Sequence, residues 1–141
     1  MLRAAGTTQL SQTQYAEEFL RTFGFWDNLL RVTPTKPNTR LSKDDFDLFS
    51  KPDIHKRYYG IVGNMGYLVK MTYSDLAWSY SELSKYVEFH GQSHMEASEH
   101  VLYYLLATWN KTITYIHERY CVNELWGQID TDWAGNTDRQ D

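Results

Sequence analysis

The chain reads as a mainly α protein of the α+β kind, a three-helix bundle preceded by one amphipathic helix and followed by two short β-strands. Three observations predict this. Apolar residues recur at three- and four-residue spacing in three consecutive segments between Tyr58 and Thr108, joined by short breaks. The same spacing appears earlier, from Tyr15 to Phe23. Near the end, the runs 112–116 and 125–129 are β-branched or apolar without helical spacing.

The first helix has Ser11 or Thr13 as its cap, Tyr15, Phe19 and Phe23 on one face with Ala16 and Leu20 beside them, and Gly24 as its stop. From Arg31 to Pro52 come all three prolines together with Thr33, Thr35, Asn38, Thr39, Ser42 and Ser50, which predicts an irregular connection and a boundary. Tyr58, Ile61, Val62, Met65, Leu68 and Val69 then form a helical stripe reaching about Met71. Gly60, Gly63 and Gly66 lie inside it and together cost roughly 2–3 kcal/mol of helix propensity relative to alanine. Such glycines imply a close approach by another helix, or a break. With no Gly-Lys-Ser/Thr and no strand before them, they do not form a phosphate loop.

Thr72 or Ser74 opens the next helix, with Leu76, Ala77, Tyr80, Leu83, Ser84 and Val87 inward and an end near Gly91. Ser93-His94-Met95-Glu96 has the form of a capping box, followed by Ala97, Val101, Tyr104, Leu105 and Thr108 on one face. Thr112 to Ile116 and Leu125 to Ile129 are the two expected strands, and the polar tail from Asn136 to Asp141 reads as frayed.

Composition limits the function. At 141 residues and 42% apolar content, the chain can bury one modest core. A net charge of −4 provides no overall positive field, so any nucleic-acid contact must be local. The single cysteine, Cys121, rules out an intramolecular disulfide and any Cys-based zinc site, and favours a reducing intracellular compartment. No apolar run approaches the roughly 18 residues of a membrane span, and Met1 to Gly6 lacks a signal core, so the expectation is a soluble protein with no membrane partner that is not secreted. Eleven tyrosines and five tryptophans serve either as stacking platforms for bases or as core filling; their helical spacing favours the core.

Several constellations reduce to plainer readings. His90, His94 and His100 with Glu96 and Glu99 suggest zinc, but His94 and His100 are six apart and point to different sides of a helix. A helix start with a capping histidine is the simpler account. Asp44-Asp45 follows Leu41-Ser42-Lys43 in a polar connection and reads as a solvated loop, not a polymerase aspartate pair. No serine sits in a nucleophile elbow. Basic side chains able to track phosphates are Lys56, Arg57, Lys70 and Lys85, set against Asp75, Glu82, Glu88, Glu96 and Glu99.

Five segments in order carry a resemblance. These are Leu10-Ser11-Gln12-Thr13-Gln14-Tyr15 with Phe23-Gly24 and Thr33-Pro34; Tyr58-Tyr59-Gly60-Ile61-Val62-Gly63-Asn64-Met65-Gly66-Tyr67-Leu68; Asp75-Leu76-Ala77-Trp78 through Leu83-Ser84-Lys85-Tyr86; His94-Met95-Glu96-Ala97 with Val101-Leu102-Tyr103-Tyr104-Leu105; and Asp130-Thr131-Asp132-Trp133-Ala134-Gly135. Over nearly its whole length the chain resembles the C-terminal part of the reverse transcriptase of copia-type LTR retrotransposons, running into the start of their ribonuclease H. The resemblance implies a palm remnant of strand and helix at 1–30, a Pro-rich connection at 31–54, a thumb-like bundle at 55–109, and a connection with the first ribonuclease H strand at 110–141.

It further implies a parent enzyme that copies RNA into DNA with magnesium and degrades the RNA strand of the hybrid. Lys56, Arg57 and Lys85 are then the candidate contacts to primer–template or RNA–DNA hybrid. Asp130 matches the first metal-binding, catalytic carboxylate of ribonuclease H; Asp132 matches a second Asp to which no catalytic role is given. A two-metal nuclease site needs several converging carboxylates, which one strand cannot supply. The polymerase aspartate pair belongs upstream of the matched region, so the expectation is a catalytically inactive piece with no cofactor of its own. Tyr59, Tyr103 and Leu106 stand where relatives usually carry Arg or Lys, Tyr73-Ser74 replaces Arg-Pro, Ala107 replaces Gly, and Asn136 replaces Asp. Fewer basic groups mean weaker backbone contacts. The alternative is a non-catalytic module of the thumb that binds nucleic acid or uses its aromatic surface for a protein partner.

Overall fold

The computed structural model describes residues 2–4, 6–27, 30–37, 39–46 and 52–116. The expected strand 125–129, the Asp130 segment and Cys121 lie outside these. Two strands, β1 (Leu2–Ala4) and β2 (Thr7–Ser11), precede the first helix, α1 (Thr13–Thr22). They pair antiparallel with Ala4 opposite Thr7, and the connection carries Gly6 at φ +84, a left-handed conformation that suits glycine in a tight hairpin.

α1 is cut as its sequence predicts. Gly24 adopts φ +77, the Gly24 amide donates to the Arg21 carbonyl at 3.1 Å, and the Phe25 amide reaches back to Leu20 at 2.8 Å. Those two bonds are the left-handed glycine stop that satisfies the last carbonyls of a helix. At the other end the N-cap is Gln12, not the expected Ser11 or Thr13, and it makes no side-chain cap bond; the Ser11 hydroxyl accepts from the Thr13 amide at 3.1 Å. Ala16, Phe19 and Leu20 are buried, with Tyr15 and Phe23 packed at the margin.

A short 3-10 turn, Lys43–Asp45, interrupts the long connection; Ser42 caps it, and the Asp45 carboxylate accepts from the Ser42 amide at 3.3 Å. α2 (Pro52–Met71) starts three residues before the expected 55, because a proline in the first turn has its missing N–H where no helical partner exists. The helix runs unbroken through its glycines. A Cβ on Gly60 would meet the Phe23 ring at 2.9 Å, and one on Gly66 would meet the Tyr80 ring at 2.9 Å, so two of the three glycines admit aromatic rings from neighbouring segments; Gly63 meets nothing within 4 Å.

A 3-10 turn, Ser74–Leu76, leads into α3 (Ala77–Ser84). This helix ends seven residues before the expected Gly91. The Lys85 and Tyr86 amides bond to the carbonyls of Glu82 and Leu83, tightening the chain out of the helix. Tyr86 then turns inward, its hydroxyl donating to the Leu41 carbonyl at 2.8 Å. Tertiary burial of Tyr86 and His90 thus outweighs continued helical periodicity. α4 (Gln92–Thr108) has Gly91 as its N-cap, not Ser93: the Gly91 amide donates to Nδ1 of His94 at 3.1 Å, so the histidine three residues on supplies the cap.

β3 (Thr112–Ile116) forms where expected, but it does not follow the bundle as an independent strand. It pairs antiparallel with β2, Thr112 opposite Ser11 and Ile116 opposite Thr7, giving the order β1-β2-β3. The core likewise crosses the expected boundary. Ala16, Phe19, Leu20 and Phe25 lie in one cluster with Tyr58, Ile61, Met65 and Leu68 of α2, Leu83 of α3, and Val101, Leu102 and Leu105 of α4. The Pro-rich connection is laid over that core, with the Arg31 amide on the Tyr103 carbonyl, Thr35 on Ser79, and the Thr33 carbonyl 3.1 Å from Nε2 of His100.

Candidate nucleic-acid interface

The three basic candidates fall near one end of the bundle, where the Tyr58 hydroxyl of α2 donates to the Leu83 carbonyl of α3 at 2.8 Å. Lys56 is exposed on the first half of α2. Arg57, the next residue, is turned into the protein. Its Nη2 donates to the Phe23 carbonyl at 3.1 Å and lies 3.5 Å from a Glu99 carboxylate oxygen, and its guanidinium sits 5.6 and 5.7 Å from the Phe23 and Phe25 rings. A cation held by a carbonyl, a carboxylate and two aromatic rings serves first to fix α2 against α1 and α4. Lys85, in the turn after α3, is paired with Glu82. Lys70 is exposed at the far end of α2.

Exposed aromatics accompany these cations. Tyr59 is 67% exposed, Trp78 57% and Tyr67 51%, and Tyr67 leans on Tyr15 with ring centroids 4.6 Å apart. Of the positions where basic residues were expected by resemblance, Tyr59 faces solvent, Tyr103 packs edge-on against Phe25 at 5.0 Å, and Leu106 is buried in the core. Long cations at the last two positions would have to snorkel past Phe25 and the core to reach water.

His90, His94 and His100 do not converge with Glu96 and Glu99 on one point. His94 caps α4 and touches Tyr86, His100 meets the Thr33 carbonyl, Glu96 bonds to Gln92, and Glu99 to Arg57. Among the described residues no three His, Cys, Asp or Glu side chains are placed to hold a metal ion. Asp44 and Asp45 are exposed in their 3-10 turn. Asp130 lies outside the described residues. No described helix is long and apolar enough to cross a membrane.

Sequence reasoning passed over two arrangements. The Tyr104 hydroxyl donates to the Asp75 carboxylate at 2.6 Å, while Lys111 reaches both that carboxylate, at 3.3 Å, and the Tyr104 oxygen, at 3.1 Å. The hydrogen bond that Lys111 donates to the Tyr104 oxygen, and then the Asp75 carboxylate, raise the lysine above its ordinary range, while burial raises the phenol. Nothing local signals this network, since Asp75 and Lys111 are 36 residues apart. Nearby Tyr73 is buried, donates to the Trp109 carbonyl at 2.6 Å, and is pushed up to about 12, first by burial and then by Asp75. The second arrangement, a stack around His90, is taken up below.

Compared with protein-family models, with curated proteins and with solved structures, the chain matches none.

Proposed function

We propose that this chain is a piece of a copia-type reverse transcriptase comprising a palm remnant, the helical thumb and the first strand of ribonuclease H, catalytically inactive and with weak or no nucleic-acid binding alone, whose thumb grips primer and template in the parent enzyme. The observation that carries this reading is the sequence order of five family-like segments. It is supported by the three thumb-like segments falling on separate helices, Tyr58 to Leu68 on α2, Asp75 to Ser84 on the 3-10 turn and α3, and His94 to Leu105 on α4. In the parent, magnesium at carboxylates including Asp130 would serve the nuclease, and RNA–DNA hybrid would be the ligand. Two experiments test it. Sequencing the transcript and genomic flanks is expected to find an in-frame aspartate pair upstream and further carboxylates downstream; a frame encoding unrelated sequence on both sides would refute the origin. The purified chain should incorporate no nucleotide on a primed RNA template with magnesium, and synthesis there would refute the non-catalytic role.

A second reading, a module that binds hybrid or a protein partner without catalysis, is favoured by one pairing pattern. Arg57 and Lys85 are engaged within the protein, while Tyr59 and Trp78 face solvent. Titrating RNA–DNA hybrid across a salt series separates the uses. Affinity that falls steeply with salt marks phosphate contacts; flat, weak binding leaves the aromatic surface for protein.

A further inference from the structure

Five rings converge where the turn between α3 and α4 meets α2. His90, 0% exposed, stacks on Tyr58 with centroids 4.3 Å apart and planes 17° from parallel, and stands edge-on to His55 at 4.2 Å. Tyr86 and His94 form the neighbouring contact at 4.4 Å. Nδ1 of His90 lies 3.1 Å from the Val87 carbonyl, which can only accept, so Nδ1 carries the proton of the neutral ring. Its Nε2 is buried with no hydrogen-bond partner among the described residues. A bare imidazole nitrogen inside an aromatic stack is tolerable while neutral and poorly placed for charge.

We propose that His90 is an acid-sensitive latch: protonation of its Nε2 releases the 85–91 turn from α2 and loosens the start of α4, while the remaining core stays folded. Among the described residues, the groups around it offer no compensating anion. From α2 come His55, whose own positive charge would oppose that of His90, and the Tyr58 phenol, held un-ionised by burial. From α4 comes His94, engaged with the Gly91 amide. In the turn itself, Glu88 is exposed and Lys85 is paired with Glu82. The segment before α2 that takes the Tyr86 hydroxyl carries Asp44 and Asp45, both exposed. Burial first, and His55 second, lower the His90 ring below the ordinary imidazole value, outweighing its backbone bonds. The sign follows. The open turn binds the proton more readily than the closed one, so closure is fully favoured above about 6.5 and is lost as pH falls through the lower, closed-state value.

The test uses the full chain and backbone hydrogen exchange, expressed as protection factors, from about pH 7.5 to about pH 5. Protection at residues 85–94 is expected to hold above about pH 6.5 and to fall below it, the opening constant rising by up to about tenfold per pH unit there, while protection in the middle of α2 persists. His90→Phe keeps a flat ring without the titrating nitrogen and should hold its protection in acid. Acid loss identical to the native chain in that variant would overturn the latch, as would unchanged native protection or simultaneous loss across the whole chain. Should His90→Phe lack protection even at neutral pH, His55→Asn decides: removing the opposing charge raises the closed-state His90 value and shrinks the acid response, whereas an undiminished response refutes the proposal.

Discussion

Gly63 and Gly66 sit one turn apart on α2 and answer to different neighbours. With open space beside it, Gly63 carries only the entropic cost of glycine in a helix, so Gly63→Ala is expected to raise stability by about 0.5–1 kcal/mol. Gly66→Ala would press a methyl group to within about 3 Å of two Tyr80 ring carbons and its hydroxyl oxygen, and despite the same propensity gain it should come out about 1 kcal/mol less stable than the native chain. Urea midpoints of the two variants decide the matter, and equal gains at both would refute the close approach. His100 makes a second residue-scale prediction. Burial first, then Lys36 and Arg31, lowers its imidazole, with the Thr33 carbonyl acting in the opposite sense. Because the folded value lies below the ordinary one, its stabilising contribution is complete above about 6.5 and fades as pH falls through the folded value. The urea midpoint of the native chain should therefore drop on acidification, and His100→Gln, which keeps a donor for Thr33 without titrating, should drop less.

At the scale of elements, legibility in the sequence followed the range of the signal. α1 was readable to its last residue because periodicity and the Gly24 stop are both written within a few positions. α4 was readable as a helix with a capping histidine, yet the capping box expected to open on Ser93 opens on Gly91. Ser93 looks like the usual capping residue, whereas the ring of His94 reaches the Gly91 amide. α3 stopped early because Tyr86 finds the Leu41 carbonyl, 45 residues away, which no local pattern announces. The same kind of distant contact fastens the sheet. Gln12, at the junction of β2 and α1, donates to the Tyr67 carbonyl at 3.3 Å and accepts from Thr72 at 2.7 Å, pinning that end to the C-terminal part of α2. Gln12→Ala should cost about 1 kcal/mol and lower hydrogen-exchange protection in β2 and β3 more than in α4. Uniform loss across all elements would argue against that pinning.

Across the molecule, the described residues share one core and one sheet that ignore the compositional boundary. Leu20 of α1 and Leu102 of α4 are both fully buried in the same cluster, so Leu20→Ala should destabilise by about 2–5 kcal/mol and do so in a single cooperative transition. A separate, early unfolding step of α1 in a denaturant scan would show instead that residues 1–30 are only loosely attached. Of the candidate interface, the sequence showed which residues carry charge but not which charge is available. Arg57 and Lys85 are adequate phosphate contacts by type, and their pairing with Glu99 and Glu82 emerges only in three dimensions. By itself the sequence determined the helical segments from Tyr15 to Thr108, the strand 112–116 and the irregular connection, because spacing, caps and stops act over one or two turns of chain. Tertiary structure alone decided that 7–11 pairs with 112–116, that α1 joins the core of α2 to α4, and that His90 is sealed against Tyr58 and His55. Each of those depends on apolar burial shared between residues distant in sequence, and a linear pattern records that a residue is apolar or aromatic without recording its partner.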